Sequence, residues 1–247
     1  MSTPTPTATL ARSTNRPARD SWGAQWLTRL FFNEAAVQSN EPIAPGLHLV
    51  TLQGPALRGL LWSPGDKLQL KLGRGMLTRT YTPLMWDGEA GRTAFVAHTL
   101  AAGPGSDWVR RAAPGEPLAV FGPRPSLALT ELDPADSLLM GDETVLSLAA
   151  AWRPARVLLE AGEPACVNAA AQALALPVQA VAREPGDAHW PELAARMRAS
   201  LGPTTRIVLA GRAATVQHLL RQLKAYGIAT NRIRTKAYWA DGKTGMD

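Results

Sequence analysis

The chain has 247 residues, of which 46% are hydrophobic, and this is enough for one large domain or for two of ordinary size. Its single cysteine excludes a disulfide framework and a thiolate metal cluster, and no apolar run approaches the ~20 residues that a membrane helix needs. The net charge of +6 favours anionic cofactors or substrates as partners, because the basic residues are scattered and lack the dense runs typical of nucleic-acid binding.

Signals for export and for metal binding are also missing from the sequence. The first residues contain no apolar core followed by a small-residue cleavage site, so we expect a cytoplasmic protein. The histidines are scattered without metal-ligand spacing, so we expect no metal site.

Residues 1–20 are rich in Thr, Pro and Arg and poor in large apolar side chains, which predicts a disordered tail. From residue 21 to 130, short apolar runs are separated by Gly and Pro, and residues 67–72 alternate polar and apolar side chains with the period of a strand. Several short strands at this spacing predict a small antiparallel β-barrel. One helix is expected to interrupt them over residues 107–112, with Ser106 as its N-cap.

The pattern changes near residues 127–135. From residue 131 onward, buried-strand runs alternate with helical segments, and the series ends on a strand. The strand runs are "DSLLMG", "ARVLLE", "PVQAVAR", "TRIVLAG" and "RIRTKAYW". This alternation predicts a parallel sheet with helices on both faces, a Rossmann-like α/β domain over residues 131–247 that follows a β-barrel domain over residues 21–130.

Gly141 ends the first of these runs, and a helix is expected to open directly behind it at Asp142 and Glu143. A glycine before a helix start leaves room for the phosphates of a nucleotide. The same glycine can serve packing alone, and the G-x-G-x-x-G fingerprint of dinucleotide-binding folds is absent. This turn by itself leaves both interpretations open.

A second glycine-rich turn lies in the barrel region, where Gly103, Pro104 and Gly105 precede Ser106. Such a turn can present consecutive amides and a hydroxyl group to an anion. It can equally be an ordinary capped helix between two strands.

The segment "LTRTYTPLMWDG", residues 77–88, places Arg79 and Tyr81 on one face of a strand and Thr82 on the other. An arginine can grip a pyrophosphate with two parallel hydrogen bonds, a tyrosine can stack on a flat ring, and a threonine can bond to a ring edge. The alternative is a β-prone strand with a solvated arginine. Together with the glycine turn and the α/β half, the first interpretation fits a flavin on the barrel and a nicotinamide on the parallel sheet.

From about Asn33 onward, the chain resembles the siderophore-interacting protein family of flavin-dependent ferric-siderophore reductases, which are related to ferredoxin-NADP reductases. The matching pieces are, in chain order, "RTYTP", "HTLAAGPGSDW", "VFGPR", "MGDET" and "AYWADGKTGMD". The resemblance implies an oxidoreductase for iron acquisition that takes electrons from NADPH or NADH. These electrons would pass through FAD to a ferric siderophore, and iron would leave as Fe(II).

The resemblance also assigns expected roles to particular residues. FAD would be held by Arg79 at its pyrophosphate, by Tyr81 and Thr82 at its isoalloxazine and ribityl portion, by His98 beside it, and by a phosphate cradle of Gly103, Gly105 and Ser106. The nicotinamide site would be bordered by Gly141, Asp142, Glu143 and Thr144, and the flavin face by Tyr238 and Trp239. No protein side chain is expected to act as the catalytic group, because the flavin performs the chemistry.

Further expectations concern the donor and the substrate. Arg183 follows the third parallel strand, where reductase relatives tend to hold a 2′-phosphate, which slightly favours NADPH over NADH. Lys236 and Lys243 flank the terminal aromatic pair and are the candidates for attracting an anionic ferric siderophore. Ordinary exposed lysines are the alternative.

Three positions depart from the family's pattern. Leu84 stands where a second arginine is common, Thr99 follows His98 where a glycine is common, and Arg212 follows Gly211 where a glutamate is common. Two other functions stay open: a flavin-free siderophore-binding module, and an NAD(P)H:flavin reductase that serves another redox partner. We expect a monomer without nucleic-acid partners.

Overall fold

A computed structural model of the chain describes residues 32–73 and 77–243, and all of them fall within one compact unit. The predicted disordered tail, residues 1–20, and the first part of the predicted barrel, residues 21–31, lie outside the described residues. Two sheets follow one another along the described chain, the first antiparallel and the second parallel.

The first sheet consists of the strands β1 (Asn33–Ala44), β2 (Leu47–Gln53), β3 (Lys67–Lys71), β4 (Thr78–Tyr81), β5 (Met85–Asp87), β6 (Arg92–His98) and β7 (Pro117–Arg124). Its strand order is β4-β3-β7-β1-β2-β6-β5, with antiparallel neighbours. The edge strands β4 and β5 are joined by residues 82–84 alone, a link of at most about 14 Å. Seven strands laid flat would place these edges roughly 29 Å apart. The sheet therefore curls until its edges approach, as the predicted barrel requires.

Strand β1 has no counterpart among the predicted strands. Its sequence, NEAAVQSNEPIA, contains few large apolar side chains, and its buried positions include only Ala35, Val37 and Ala44. Irregular pairing with β2 after Val37 and after Pro42 also breaks the two-residue period. The strand is stabilised by partners on both sides, β2 and β7, which no local pattern reveals.

The helix within the antiparallel region, α1 (Pro104–Arg111), begins earlier than predicted. Gly103 is its N-cap, with φ 143° and ψ 165°, and Pro104 occupies the first turn, where its missing N–H costs no hydrogen bond. The prediction that Ser106 caps the helix is therefore wrong. Ser106 lies inside the helix, and its hydroxyl donates to the carbonyl oxygen of His98 at 3.4 Å.

The second sheet consists of the strands β8 (Ser137–Gly141), β9 (Arg156–Ala161), β10 (Val178–Ala182), β11 (Arg206–Arg212) and β12 (Ile233–Trp239), in the order β10-β9-β8-β11-β12. The connecting helices are α2 (Leu146–Trp152), α3 (Pro164–Ala173), α4 (Trp190–Ala199) and α5 (Ala213–Ala225). The predicted parallel sheet with helices is confirmed, strand by strand. Among the helices of the described chain, α5 is the longest at 13 residues, and none has the length and apolar character of a membrane span.

The two sheets are joined by a shared hydrophobic core. Ala44, Leu47 and Val96 of the antiparallel sheet belong to the same buried cluster as Leu146 of α2. The hydroxyl of Ser147 accepts the N–H of Val96, in β6, at 2.6 Å. The short strand β5 pairs with β6 only as far as Ala94, so it does not reach Val96. This contact satisfies a buried backbone donor and fixes the start of α2 against β6.

Candidate functional site

A cavity of about 360 Å³ opens between the two sheets. Its walls come from β4, β6 and β12 and from the turn after β8. The lining residues that the sequence predicted as site residues are Tyr81, Thr82, His98, Glu143, Thr144, Arg183, Lys236, Tyr238 and Trp239. The predicted residues outside its lining are Arg79, Gly103, Gly105, Ser106, Gly141, Asp142 and Lys243.

Tyr81 forms part of the wall on the antiparallel side. Its ring stacks on Phe95, with the ring centroids 4.3 Å apart and the planes at 27°, and Phe95 is completely buried. Burial raises the pKa of the Tyr81 hydroxyl well above its usual range, and the nearby Arg79 guanidinium offsets only part of this rise. Tyr81 is therefore a neutral aromatic side chain fixed in place by the barrel core.

Arg79 and Tyr81 both lie against the start of α1, as expected for residues that share one face of a strand. A Cβ atom at Gly105 would come within 3.1 Å of the Tyr81 hydroxyl oxygen and within 3.3 Å of Arg79 Cγ. Glycine at this position lets the two side chains approach the helix backbone. Arg79 Nη1 donates to the carbonyl oxygen of Thr78 at 2.7 Å, which orients the guanidinium along the strand.

The N-terminus of α1 faces open space at Gly103. A Cβ atom there would meet nothing within 4 Å. The first N–H groups of an α-helix have no acceptor within the helix and carry a partial positive charge. With Arg79 nearby, this helix start suits a phosphate group.

Thr82 and Tyr238 approach each other from opposite sheets. Thr82 Oγ1 donates to the hydroxyl oxygen of Tyr238 at 3.2 Å. Burial raises the pKa of Tyr238 to about 12; the hydrogen bond from Thr82 lowers it, and the charge of Asp142 raises it. Tyr238 therefore stays protonated at neutral pH, and its own O–H can donate to a ligand in the cavity.

Gly141 and Asp142 lie behind the cavity wall rather than on it. A Cβ atom at Gly141 would overlap the carbonyl oxygen of Ala210 and come within 3.0 Å of both methyl groups of Val145. Close packing of β8 on β11 therefore requires this glycine, which supports the packing interpretation of the turn. Asp142 is completely buried and caps the short 3₁₀ helix Glu143–Val145. Contact of either residue with a nicotinamide stays a prediction.

Glu143 and Arg183 form an ion pair in the cavity wall. Arg183 Nη2 lies 2.6 Å from Glu143 Oε2, and the N–H of Gly162 donates to Glu143 Oε1 at 2.9 Å. Burial acts to raise the pKa of Glu143, but the Arg183 guanidinium and the Gly162 N–H together bring it below its ordinary value. The carboxylate is charged, and a ligand phosphate at Arg183 has to share the guanidinium with it.

His98 ends β6 and lines the same cavity. Burial is the largest cause of its lowered pKa; the charge of Glu143 raises this pKa, and the charge of Arg183 lowers it. The imidazole is therefore neutral at neutral pH. A neutral ring at this place can exchange hydrogen bonds with a cofactor, in keeping with its predicted position beside FAD.

The two predicted substrate lysines are separated by the structure. Lys236 lines the cavity, whereas Lys243 is exposed and lies outside the lining. The N–H of Lys243 donates to the carbonyl oxygen of Ala240 at 3.2 Å, in the turn that follows β12.

Two of the three departures from the family pattern, Leu84 and Arg212, have structural roles of their own. Leu84 packs against the core that joins the sheets, and its N–H donates to the carbonyl oxygen of Ala94 at 2.8 Å. Arg212 pairs with Asp187 at 2.5 Å and with Asp241 at 2.8 Å. These contacts account for the apolar residue at position 84 and the basic residue at position 212.

A buried polar group next to the cavity, centred on Glu160, has no counterpart among the predicted site residues. Glu160, completely buried in β9, accepts from His189 Nε2 at 2.7 Å and from Thr215 Oγ1 at 2.8 Å, and it lies 3.4 Å from Arg183 Nε. The N–H of Glu184 donates to His189 Nδ1 at 3.2 Å, which places the proton of a neutral His189 on Nε2. The signal was a glutamate inside the apolar run "ARVLLE", which indicates a buried charge with a distant partner.

The arrangement fits FAD in two places. The cavity lies within the range of about 300–1,000 Å³ typical of small-molecule sites, and Tyr81, Tyr238 and Trp239 give it aromatic walls for a flat ring. Open space before Gly103, with Arg79 beside the helix start, suits a diphosphate.

Comparisons with known proteins agree with this arrangement. Residues 68–127 match the model of a family described as the siderophore-interacting FAD-binding domain. The chain is similar to the crystal structure of a siderophore utilization protein from T. fusca, with TM-score 0.73, 23% identity, and coverage of 87% of this chain and 95% of that one. No curated protein matches the sequence.

Two similar structures are reductases. A ferredoxin reductase in carbazole 1,9a-dioxygenase has TM-score 0.68 and 20% identity over 84% of this chain and 69% of that one. Phthalate dioxygenase reductase, described as a modular structure for electron transfer from pyridine nucleotides to 2Fe-2S, has TM-score 0.66 and 15% identity over 86% of this chain and 70% of that one.

The family match covers the "RTYTP" and "HTLAAGPGSDW" motifs, so it confirms the predicted resemblance and FAD as the cofactor. At 23% identity or less, the structural likenesses themselves establish the fold. The chain therefore has a ferredoxin-reductase-like fold, and its residues 68–127 match the siderophore-interacting FAD-binding domain family.

Proposed function

We propose that the protein is an NAD(P)H-dependent, FAD-containing ferric-siderophore reductase, which releases iron as Fe(II). The observation that carries this proposal is the cavity between the two sheets, with aromatic walls from both sheets and a phosphate-compatible helix start within reach of Arg79. FAD, when bound, accepts two electrons as a hydride from a nicotinamide and returns them singly to a one-electron acceptor.

The residues of the barrel hold and orient the cofactor in this proposal. Arg79 and the N–H groups of Gly103, Gly105 and Ser106 bind the pyrophosphate, since a guanidinium and a helix N-terminus both favour anions. Tyr81, stiffened by its stack on Phe95, supports the ring portion. His98 offers a neutral hydrogen-bonding group at the end of β6.

The residues of the parallel sheet receive the nicotinamide. Glu143, Thr144 and Trp239 line the cavity on this side, with Gly141 and Asp142 behind them. We propose Arg183 as the contact of the 2′-phosphate of NADPH, although it is shared with Glu143. Equal rates of flavin reduction by NADH and NADPH would remove the reason for this assignment.

The substrate in this proposal is an anionic ferric siderophore. One hydride carries two electrons, so each NAD(P)H reduces two ferric chelates and leaves one proton. Fe(II) leaves because hard oxygen ligands hold it far more weakly than Fe(III). Lys236, in the cavity wall, and Lys243, after β12, supply positive charge for attraction of the chelate.

In this proposal, each of the two sheets belongs to a domain that binds one cofactor. Residues 21–130 form the FAD domain and residues 131–247 the nicotinamide domain, with the joint near residues 127–135. We also propose that the protein works as a monomer in the cytoplasm, where NAD(P)H is available.

Electron-acceptor assays test the proposed substrate. The FAD-loaded protein is given NADPH or NADH and then a ferric catecholate, a ferric hydroxycarboxylate, or free FMN, and Fe(II) is trapped with a colorimetric chelator. The proposal expects turnover with a ferric chelate at a higher kcat/KM than with free FMN. The reverse order would identify an NAD(P)H:flavin reductase instead, and a protein that takes up no FAD would identify a flavin-free module.

Two single lysine variants, one in the cavity wall and one on the exposed surface, test the contact with the chelate. Lys236→Ala is expected to raise KM for an anionic ferric chelate more than kcat falls, because the lysine attracts substrate without taking part in electron transfer. Lys224→Ala, at an exposed position in α5, is the matched control. Equal kinetics for the two variants would count against the assignment of Lys236.

A further inference from the structure

The end of β12 carries a β-bulge. Ala237 pairs with Gly211 of β11, and Trp239 pairs with the next residue, Arg212, so Tyr238 is the extra residue of the bulged strand. In a regular strand, consecutive side chains point to opposite faces. Here Tyr238 and Trp239 both line the cavity, as do Lys236 and Ala237 before them, so the last four residues of β12 all contribute to its wall.

The carboxylate of Asp142 contacts both strands at this bulge. Its Oδ2 accepts the backbone N–H of Arg212 at 2.7 Å and the indole Nε1–H of Trp239 at 2.8 Å. Its Oδ1 accepts the N–H of Thr144 at 2.8 Å and the hydroxyl of Thr144 at 2.5 Å. The carboxylate therefore receives four donors from three elements, and the residue is completely buried.

The backbone at Gly211 leaves just enough room for this carboxylate. Gly211 has φ 104°, and a Cβ atom there would come within 2.6 Å of Asp142 Oδ2. Asp142, Gly211 and the bulge at Tyr238 thus form one arrangement, in which each part depends on the other two.

We infer that Asp142 is a positioning residue that holds the bulge of β12 and thereby keeps Trp239 in the wall of the cavity beside Tyr238. A buried carboxylate is costly to maintain, and here its four donors come from backbone and side chains that a smaller apolar residue would leave unsatisfied. Acting through Trp239, Asp142 shapes the side of the cavity where a nicotinamide enters; this last part of the inference rests on the proposed function.

The charge state of Asp142 makes the arrangement sensitive to pH. Burial and the charge of Glu143 raise the pKa of Asp142 to about 6, although its donors from Thr144 and Trp239 lower it. The other charged or titratable groups around it are Arg183, Tyr238 and Arg212, the last of which directs its guanidinium to Asp187 and Asp241. Protonation of the carboxyl removes negative charge from the acceptor of the Trp239 indole.

Proton NMR of the tryptophan indoles tests the inference without any cofactor. The chain has 8 tryptophans, and the Trp239 indole signal is identified by its loss in Trp239→Phe. In the cofactor-free wild type, we expect this signal to exchange slowly with solvent and to shift with a midpoint near pH 6, the pKa of Asp142. A Trp239 indole that exchanges with solvent as fast as an exposed indole in the wild type would overturn the inference, because Asp142 would then not hold it.

Asp142→Asn is the variant that completes this test. Its NH2 group would face two of the four donors, either those of Trp239 and Arg212 or those of Thr144, so we expect the arrangement to loosen, and the Trp239 indole to exchange faster and to lose its titration. Asp87→Asn is the matched control, because Asp87 also accepts a backbone N–H, from Ala90 at 2.9 Å, but lies in β5 away from the cavity lining. Wild-type exchange and titration in Asp142→Asn would contradict the inference. If this variant fails to fold, the exchange rate of the wild-type Trp239 indole decides by itself.

The FAD-loaded protein separates this inference from the proposed function. With FAD bound, Asp142→Asn is expected to slow flavin reduction by NAD(P)H about 10- to 100-fold, the scale of a misplaced contact, while Asp87→Asn keeps the wild-type rate. A titrating Trp239 signal in a protein that binds no FAD would retain the positioning role and refute the proposed function. A flavin that is reduced equally fast in both variants would refute the role of Asp142 at the nicotinamide side.

Discussion

The hydroxyl of Thr82 donates a hydrogen bond to the hydroxyl of Tyr238 over 3.2 Å, and this bond joins the link between β4 and β5 to the last strand of the parallel sheet. Both residues line the cavity. The bond therefore fixes the distance between two walls of the proposed flavin site, and it connects residues that lie far apart in the chain.

Thr82→Val tests this bond with little change in side-chain shape. We expect a loss of about 1 kcal/mol in the free energy of unfolding, because the half-buried Tyr238 hydroxyl loses its donor, and weaker binding of FAD. Thr82→Ser keeps the hydroxyl and is the matched control. Urea denaturation and FAD titration measure the two effects. Equal behaviour of the valine and serine variants would show that the bond contributes nothing.

Arg79→Ala tests the proposed pyrophosphate contact. Charge-assisted hydrogen bonds contribute about 1.5–3 kcal/mol, so we expect the Kd for FAD to rise roughly 10- to 100-fold. Fluorescence titration with FAD measures this change. Arg196→Ala removes an exposed arginine that pairs with Glu192 at 2.7 Å on α4, and it should leave the Kd unchanged. An unaltered Kd in Arg79→Ala would refute the contact.

Gly105→Ala tests the close approach of β4 to α1. The new Cβ would lie 3.1 Å from the Tyr81 hydroxyl oxygen, so Tyr81 and Arg79 have to move away from the helix start. We expect a loss of about 1–3 kcal/mol in stability from overpacking and weaker FAD binding. Gly88→Ala is the control, because a Cβ there would meet its nearest atoms at 3.8 Å. Thermal unfolding and FAD titration of both variants decide whether the approach matters.

The pH dependence of stability should reveal the half-buried His98. Burial lowers its pKa from the ordinary value of 6.5, so the folded state takes up a proton less readily than the unfolded state does. The contribution of His98 to stability is therefore complete at pH values above 6.5 and is lost as the pH falls below 6.5. We expect the stability of the wild type relative to His98→Gln to decrease between about pH 7.5 and about pH 5 in urea denaturation. A relative stability that rises on acidification would contradict the neutral ring.

Much of the fold could be predicted because its signals are local. The runs "ARVLLE" and "TRIVLAG" are short, apolar and bounded by polar or glycine residues, and each forms a buried strand, β9 and β11. Strand β1 lacked such a signal, since its ends are fixed by pairing with β2 and β7 rather than by its own side chains. The prediction put the start of α1 after Ser106, but the helix begins at Pro104 with Gly103 as its N-cap. Proline is favoured in the first turn of a helix, and this preference decided the start here.

The candidate site could be predicted in part, for a similar reason. Tyr81, Thr82 and His98 stand in recognisable motifs, and the structure places them together in one wall. The role of Asp142 could not be predicted, because it depends on the N–H of Arg212 and the indole of Trp239, which only the packing of β8, β11 and β12 brings to one point. The ion pair of Arg183 with Glu143 is likewise a contact between turns distant in the sequence.

The central claim is that electrons pass from a nicotinamide through bound FAD to ferric iron, and the visible spectrum of the FAD-loaded protein under anaerobic conditions tests it most directly. We predict that NADPH or NADH bleaches the flavin absorbance, and that a ferric siderophore then restores it with two Fe(II) formed for each flavin reoxidised. The gallium(III) complex of the same siderophore, which has the same shape but accepts no electron, should leave the flavin bleached. A flavin that NAD(P)H does not bleach, or that the ferric complex does not reoxidise, would contradict the account.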